Sequence, residues 1–331
     1  AVGELRSCET MRCAVIQMRS GADPVANRDD FAAFVREAAD NGAGYGINCL
    51  GASSRSNAFT IDGAVANDGF GLNEGTGTSA RFAFPVPYDS IASVSVEFAP
   101  LDVQYGQFKG CAINVVTKPG ENEFFGSAFY LFNDEGLTGD KLEGDPIDTG
   151  DFSEKRWGVT LGGPIIKEKL FFFLAYEKLN GVNLFDRVSA DSPIAGRRVQ
   201  GVTDAQLDEI AQIARDVYGY EVGDIVKSLD VEDEKYTIKL DWDINENHRA
   251  SYTYNYNDGF NWSESDSDDD EFEFSDHYYE RGAELKSHTA ALFSNWTDVF
   301  STELKIATKE IITSQNSLQG TDFAEMNIAT A

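Results

Sequence analysis

Histidines, thiols and carboxylates are the side chains best able to do chemistry, but in this sequence they form no catalytic pattern. The three histidines, His248, His277 and His288, belong to no HExxH motif and to no Cys/His cluster, and no Gly-x-Ser-x-Gly elbow occurs. Metal-dependent hydrolysis and triad chemistry therefore both lack parts. The chain has 56 acidic residues, so a carboxylate pair suited to glycoside hydrolysis would arise by chance. The sequence predicts that the protein is not an enzyme.

One acidic run has the beginning of a metal-binding pattern. Asp266, Asp268 and Asp270 place carboxylates at every second position, as a calcium loop does. The pattern then fails, because Glu271 stands where an EF-hand needs glycine and His277 stands where it needs glutamate. The three aspartates are candidates for a loose Ca²⁺ or Mg²⁺ site, and the alternative is a solvated acidic loop. We expect no other cofactor.

The composition limits the classes of partner. The net charge of −29 argues against nucleic acid, because phosphate binding needs a basic face. No run approaches the roughly 18 to 20 apolar residues that a membrane-spanning helix needs. A membrane-spanning strand needs only about ten residues of alternating hydrophobicity. The 23 Phe and 13 Tyr residues, against 3 Met, are typical of strands and of aromatic girdles at membrane interfaces.

Alternating hydrophobicity predicts strands in two groups. The first group lies near 58–62, 91–98 and 111–117; residues 91–98 have one apolar face, and 111–117 are apolar enough to be buried on both faces. The second group has seven longer strands, at about 123–133, 154–163, 169–179, 234–244, 248–257, 284–296 and 302–313. A soluble sandwich would show the same period, so alternation alone does not place these strands in lipid.

The connections between the seven strands alternate in length and differ in charge. The short ones are 164–168, 245–247 and 297–301, and the long ones are 134–153, 180–233 and 258–283. The long segments contain half of the acidic residues, 28 against 7 basic ones. Outer-membrane barrels have short periplasmic turns and long external loops. This pattern therefore predicts that the acidic segments lie at the external end of a barrel.

The second long segment is predicted to contain a helix. Thr203 and Gln206 form a capping box at its start, and Gly219 ends it. One apolar stripe consists of Leu207, Ile210, Ala211, Ala214, Val217 and Tyr218. We expect this stripe to pack over the rim of the barrel.

Five motifs between residues 54 and 173 carry a family resemblance. They are SRSNAFTIDG (54–63), NDGFGLN (67–73), VEFAPLDVQYGQFKGCAINVVTKPGENEFFGS (96–127), LGGPIIK (161–167) and FFF (171–173). In this order they resemble the plug and the plug-to-barrel junction of TonB-dependent outer-membrane receptors, specifically the Oar-like branch. Residues 1–50 match poorly.

The resemblance implies a mixed α/β plug domain at residues 1–120, followed at 121–331 by antiparallel strands of an incomplete transmembrane β-barrel. Seven strands cannot close around a plug, since plugged transporters use 22, so we expect a piece of a longer protein. The sequence starts at Ala1 without an initiator Met or a signal peptide, so we also expect a mature or truncated chain. The implied location is the bacterial outer membrane.

The function implied by the resemblance is active uptake of a ligand, driven by a TonB-type energy-transducing complex. No energy-coupling segment is recognisable in the sequence. The acidic loops favour a cationic or metal-bearing ligand, or divalent ions that bridge to lipopolysaccharide. Two alternatives remain at this point, a passive porin or structural barrel, and a secreted, acidic, calcium-dependent β-sandwich adhesin. The identity of the ligand is not predicted.

The cysteines of the implied plug are Cys8, Cys13, Cys49 and Cys111, and they have no CxxC spacing and no nearby histidine. Zinc is therefore not expected. In the oxidising periplasm that the resemblance implies, we expect disulfides between Cys49 and Cys111 and between Cys8 and Cys13. The alternative is that the thiols are buried and free.

Other residues of the implied plug are given structural roles. Arg55 and Asp62 are candidates for a salt bridge that holds the plug against the barrel wall, and the alternative is a role in ligand binding. Asn114 lies in a strand predicted to be buried, so its amide must find partners and is expected to fix a turn or the barrel contact. The glycines assigned structural roles are Gly63, Gly106 and Gly110.

Overall fold

The protein contains a small N-terminal sheet and a long-stranded sheet, as described by a computed structural model. The structure describes residues 57–67, 85–98, 111–137, 141–142, 145–146, 152–185, 187–193, 196–264 and 271–320. Within these ranges, no helix is long and apolar enough to cross a membrane.

The N-terminal sheet has four strands in the order β2-β1-β4-β3. The strands are β1 (Ala58–Ile61), β2 (Ala64–Val65), β3 (Ile91–Phe98) and β4 (Cys111–Thr117). Strands β1 and β4 pair in parallel, whereas the other two pairings are antiparallel. The three strands predicted in this region are therefore present, and the part of it that the structure describes adds the short strand β2 and a 3₁₀ turn at Tyr88–Ser90.

One face of the N-terminal sheet carries a hydrophobic core. The core residues are Phe59, Ile61, Ala66, Val86, Cys111, Ile113 and Val115, with Ile91, Val94 and Val96 packed against them. The predicted single apolar face of β3 is confirmed. The prediction that β4 is buried on both faces is wrong, because its residues alternate between fully and partly buried. Only one side of β4 packs against the core.

A two-residue turn joins β1 to β2. Its central residues, Asp62 and Gly63, have positive φ angles of 50° and 76°. Positive φ at both central positions is the type I′ geometry that favours Asp-Gly in tight hairpins, because it matches the twist of the paired strands. The turn therefore holds the Asp62 side chain in a fixed place at the end of β1.

The long-stranded sheet has seven antiparallel strands, and each pairs with its neighbours in the chain. They are β5 (Phe125–Asp134), β8 (Ser153–Ile166), β9 (Leu170–Leu184), β12 (Ser228–Asn245), β13 (His248–Glu264), β14 (Tyr278–Thr297) and β15 (Phe300–Ser317). Their order is β15-β14-β13-β12-β9-β8-β5, so the described sheet is open, with β5 and β15 at its edges. The seven predicted strands are confirmed, and most extend several residues beyond the predicted bounds at the end with the long connections.

Short and long connections lie at opposite ends of this sheet. At one end, Ile166 pairs with Leu170, and Asn245 pairs with His248 across a two-residue turn. At the other end, Asp134 pairs with Ser153, and the long segment between them closes that hairpin. Every short turn is therefore on one side of the sheet and every long connection on the other, as the sequence predicts.

The two faces of the sheet differ in polarity. On β12, Lys235, Thr237 and Lys239 are buried on the face toward the N-terminal sheet, which we call the inner face. Tyr236 and Ile238 lie on the opposite, outer face. The outer face also carries Tyr252, Tyr254 and Tyr256 of β13, and none of these tyrosines is buried. An apolar outside and a polar inside are the pattern of a transmembrane β-barrel.

The long connections contain short elements. They are the antiparallel pair β6 (Lys141–Leu142) and β7 (Asp145–Pro146), the parallel pair β10 (Arg187–Val188) and β11 (Arg197–Arg198), helix α1 (Asp204–Tyr218), and 3₁₀ turns at Glu135–Leu137 and Ser275–His277. The helix begins with the predicted Thr203/Gln206 capping box, and Gly219 ends it in a left-handed conformation. Both predicted caps are confirmed.

The predicted packing of α1 is only partly correct. Leu207 and Ala214 are buried, but Val217 and Tyr218 of the predicted stripe are exposed. The cluster that buries Leu207 consists of Val199 and Val202 with Phe272 and Phe274, which belong to the long connections themselves. The helix therefore packs on loop segments and not over the barrel rim, which leaves the end of its stripe without a covering surface.

Candidate functional site

The candidate site is the contact between the N-terminal sheet and the inner face of the long-stranded sheet. Asp62 at the β1–β2 turn contacts β12 and β13, and Asp89 accepts a hydrogen bond from the Ser127 hydroxyl of β5 at 2.9 Å. The Lys309 ammonium of β15 donates to the backbone oxygen of Asn67. Contacts from β5 to β15 thus hold the small sheet against the wall formed by the long strands.

Asp62 is the centre of the first polar cluster at this contact. Its carboxylate accepts hydrogen bonds from the Thr117 backbone N–H at 2.9 Å and from the Thr117 hydroxyl at 2.6 Å. From the wall, the Thr253 hydroxyl donates to it at 3.1 Å, and the Lys239 ammonium lies 3.5 Å away. Two contacts come from the N-terminal sheet and two from the wall, so this one carboxylate joins both parts.

Lys239 strengthens the same junction through β4. Its ammonium donates to the backbone oxygen of Thr117 at 3.1 Å and contacts the Thr117 hydroxyl at 3.0 Å. The side chains of Lys239 and Asp62 are only 9% and 12% exposed. Charges removed from water in this way are stable only when they are paired and hydrogen-bonded. Separating the two sheets would therefore break the pair and expose both charges together.

Glu177 of β9 is the centre of a second polar cluster. One carboxylate oxygen accepts the backbone N–H of Tyr88 at 2.7 Å, which is another contact to the N-terminal region. The other oxygen lies 3.6 Å from the Lys235 ammonium and 3.9 Å from Arg156. Lys235 also pairs with Asp233 at 2.8 Å. The wall thus contains a chain of alternating charges that bonds to the N-terminal region through a backbone amide.

Aromatic rings pack over glycines where β5 joins the wall. A Cβ added at Gly158 would lie 2.6 Å from the Phe129 ring, and one added at Gly162 would lie 2.5 Å from the Phe125 ring. The Phe125 ring also stacks on Phe173, with centroids 6.0 Å apart. These glycines are required because the rings occupy the space that a side chain would take. The wall is thereby packed tightly on the inner face beside the N-terminal sheet.

At the end of the wall with the long connections, two of these connections form one unit, which we call the cap (residues 187–193, 196–227 and 271–277). The Tyr220 hydroxyl donates to Asp276 at 2.5 Å, and the Ser275 backbone N–H donates to the Asp224 oxygen at 2.9 Å. Burial, and the hydrogen bond to Asp276, raise the pKa of Tyr220 above its usual value. The Arg187 guanidinium pairs with Glu264 at 3.0 Å and ties the cap to β13.

The structure gives positions for some of the predicted site residues. Asp62 lies at the wall, with Lys239 as its charged partner. The Asn114 amide oxygen accepts from the Gly63 backbone N–H at 3.1 Å and from the Thr60 hydroxyl at 2.7 Å, so it holds the β1–β2 turn. Cys111 is fully buried and disulfide-bonded.

The remaining predicted site residues lie outside the described residues. They are Cys8, Cys13, Cys49, Arg55, Gly106, Gly110, Asp266, Asp268 and Asp270. Both disulfide pairings and the metal role of the three aspartates stay predictions. Within the described ranges, no group of three or more His, Cys, Asp or Glu side chains is arranged to hold a metal ion.

Sequence reasoning missed the wall residues Lys239, Glu177 and Lys235. A signal for them existed, because each charge lies at an inner position of a strand whose alternate residues are apolar. An inward charge in a wall predicts a polar partner inside the wall. The sequence does not indicate which partner, since Asp62 is 177 residues away from Lys239.

Comparisons with known proteins agree with this geometry. Residues 116–200 match the family model described as an outer membrane beta barrel domain. The TonB-dependent transporter Oar of Myxococcus xanthus is 29% identical over 225 residues, which are 63% of this chain and 19% of that protein. The crystal structure of the outer membrane transporter YddB from Escherichia coli matches with a TM-score of 0.53 at 13% identity, over 82% of this chain and 33% of that one.

The sheet architecture and these matches are those of outer-membrane β-barrel proteins, and the sequence matches confirm the predicted location in the bacterial outer membrane. More particularly, the chain is a homologue of the TonB-dependent transporter Oar. It spans 19% of the length of that relative and 33% of the matched transporter structure. The outer face of the long-stranded sheet is therefore the face toward lipid, and the cap lies at the end of the long loops.

Proposed function

We propose that this chain is the plug and the first part of the barrel of a TonB-dependent transporter, which takes up a ligand actively across the outer membrane. Residues 1–120 are the plug, and residues 121–331 supply barrel strands with external acidic loops. The protein is not an enzyme on this proposal. Its partners are a TonB-type energy-transducing complex, the lipid and lipopolysaccharide of the outer membrane, and a ligand.

The observation that carries the proposal is the polar character of the contact between the N-terminal sheet and the wall. The Asp62 and Glu177 clusters hold the sheet by hydrogen bonds and ion pairs. Water can replace such contacts when the parts separate, whereas a large apolar interface would strongly oppose opening. A contact of this kind suits a plug that stays closed at rest and moves when it is pulled.

Two other functions fit the same residues less well. A passive porin needs an open passage, but here a folded sheet lies against the inner face from β5 to β15. A secreted β-sandwich adhesin would cover the apolar face of its strands, but Tyr252, Ile238 and Trp242 are exposed on the outer face. Lipid is the medium that suits such a face.

The acidity of the external segments supports a cationic or metal-bearing ligand. The three long segments carry 28 acidic residues against 7 basic ones, so their field attracts cations and repels anions. Divalent ions that bridge to lipopolysaccharide would use the same charges. Attraction by exposed charges weakens as salt rises, because the Debye length falls to about 8 Å at physiological ionic strength. Ligand affinity that is unchanged between low and physiological salt would contradict this part of the proposal.

The complete gene product in a planar lipid bilayer tests the main proposal. We expect no steady conductance of K⁺ and Cl⁻ from the native protein, and channels after a moderate urea concentration has released the plug reversibly. A stable conductance without urea would identify a porin. In cells, the set of medium components taken up should depend on the gene and should be lost when a protonophore removes the proton gradient. Uptake that survives the protonophore would exclude energy coupling.

A further inference from the structure

Strand β13 has three buried polar atoms on its inner face without a hydrogen-bond partner. They are Oδ1 of Asn257, Oδ1 of Asn261 and Oγ of Ser263. The three residues are 0%, 3% and 8% exposed. Buried polar groups in folded proteins nearly always have partners, so three such atoms in a row along one strand require an explanation. Neither polar cluster that holds the N-terminal sheet uses them.

The orientation of the first amide is fixed by its neighbours. The Asn257 Nδ2 group donates to the Asp233 carboxylate at 2.5 Å and to the Glu234 backbone oxygen at 3.3 Å. Both of these partners are acceptors, so the amide cannot be turned around, and its oxygen remains a free acceptor. The charge of Asp233 is balanced by Lys235 at 2.8 Å. The Asn257 oxygen therefore accepts only from a donor of a ligand, which need not be charged, and the Asn261 oxygen and the Ser263 hydroxyl can accept in the same way.

The spacing of the row indicates what kind of donor would fit. Residues 257, 261 and 263 are separated by even numbers, so the free atoms follow one face, about 14 and about 7 Å apart along the strand. An extended peptide presents N–H groups on one side at every second residue, about 7 Å apart. The N–H groups of a bound peptide would therefore have the same spacing as the three free atoms. Between Asn257 and Asn261 lies Gly259, paired with Ala283, so no large side chain interrupts the row.

We propose that the inner face of β13 from Asn257 to Ser263 is a binding track for an extended, uncharged peptide segment that passes through the barrel. This inference rests on the proposed transport function, because the track is buried in the closed protein and a ligand can reach it only when the interior of the barrel opens. It adds a contact inside the barrel to the attraction by the external acidic segments. The backbone N–H groups of the peptide make the bonds, so its side chains are not selected here.

Uptake of radiolabelled hepta-alanine with an acetylated N-terminus and an amidated C-terminus, which is uncharged and long enough to reach all three atoms, tests the track in cells that express the complete gene product. We expect the N257L/N261L variant to lose about tenfold or more of the uptake, because two of the three hydrogen bonds to the peptide are removed. The matched control is Asn180→Leu, the same substitution at an exposed position of β9, which should leave uptake unchanged. Ser263→Ala, a smaller change that preserves packing, should give a loss of a few fold.

A second measurement separates the track from a purely structural role. The purified S263A protein should be as heat-stable as the native protein or more so, since it loses one unpartnered buried atom, whereas N257L/N261L also loses the Asn257 bonds to Asp233 and Glu234 and should be less stable. Lower stability together with lost uptake in both N257L/N261L and S263A would contradict the track. So would full uptake by N257L/N261L, an equal loss in N180L, or uptake of maltotetraose or spermidine in place of the peptide. If the native protein is closed in bilayers and shows energy-dependent uptake, but does not take up the blocked hepta-alanine, the track alone is wrong.

Discussion

Breaking the ion pair between Asp62 and Lys239 should loosen the N-terminal sheet without unfolding the long strands. Lys239→Met removes the ammonium and keeps most of the apolar length of the side chain. Asp62→Asn removes the charge and is compatible with the positive φ of this position, since asparagine also adopts the left-handed conformation. Each variant should lower the free energy for opening of the N-terminal sheet. The combined variant should lower it by less than the sum of the two.

The size of the effect follows from the contacts that remain. Removing one partner of a buried ion pair costs about 3–5 kcal/mol when nothing else compensates. In Lys239→Met, Asp62 keeps the two Thr117 hydrogen bonds and the Thr253 hydroxyl. In Asp62→Asn, Lys239 keeps its contacts to Thr117 at 3.0 and 3.1 Å. We therefore expect about 2 kcal/mol from each single change and a coupling of about 1 kcal/mol or more between them.

Native-state hydrogen exchange of the complete protein in micelles measures this opening directly. The amide of Asp62 donates to Val115, and the amide of Thr117 donates to Asp62, so β1 and β4 both report on the junction. The control is Lys178→Met, which removes a lysine paired on the outer face with Glu232 and should change the opening free energy by less than about 1 kcal/mol. Strictly additive losses from the two single variants would refute the assigned coupling.

Three further predictions concern other parts of the protein. Gly158→Val should destabilise the wall by about 1–3 kcal/mol, because the new side chain overlaps the Phe129 ring; heat-dependent gel migration of the folded barrel would show it. Thr203→Ala should cost the cap helix about 1 kcal/mol through loss of its N-cap, measured by hydrogen exchange within α1. Because the folded state raises the pKa of Tyr220, its bond to Asp276 should contribute fully below about pH 10 and be lost as pH rises further. A difference titration of tyrosinate absorbance should show that Tyr220→Phe removes a group titrating above that pH, and loss of a normally titrating group would contradict it.

The sequence predicts the strands of the wall well because their alternation is strong. On β12, apolar Tyr236 and Ile238 alternate with charged Lys235 and Lys239, so only one face of the strand can be in contact with lipid. The ends of the strands were less predictable. Strand β12 begins at Ser228, six residues before the predicted start at Glu234, because backbone pairing with β9 continues where the alternation has become polar. Backbone hydrogen bonds extend a ladder without any hydrophobic signal.

The polar contact between the two sheets shows where sequence reasoning ends. Asp62 could be selected as a wall-facing charge, and Asn114 could be expected to hold a turn, because both belong to local motifs. The partner Lys239 could not be predicted, because it lies 177 residues from Asp62 and local sequence patterns do not indicate contacts between residues so far apart in the chain. The exposure of Val217 and Tyr218 was missed for a related reason. Helical period identifies a stripe but not the length of the surface that covers it.

The opposite polarity of the two faces makes a wrong strand register energetically unfavourable during assembly of the wall. A slip of one residue in any hairpin would exchange the faces of the strand. On β12 it would direct Lys235 and Lys239 into hydrocarbon, at about 2–4 kcal/mol for each lysine near the bilayer midplane, and would turn Tyr236 and Ile238 inward. Because each strand pairs with its neighbours in the chain, the bilayer can reject such an error one hairpin at a time, before the next strand is added.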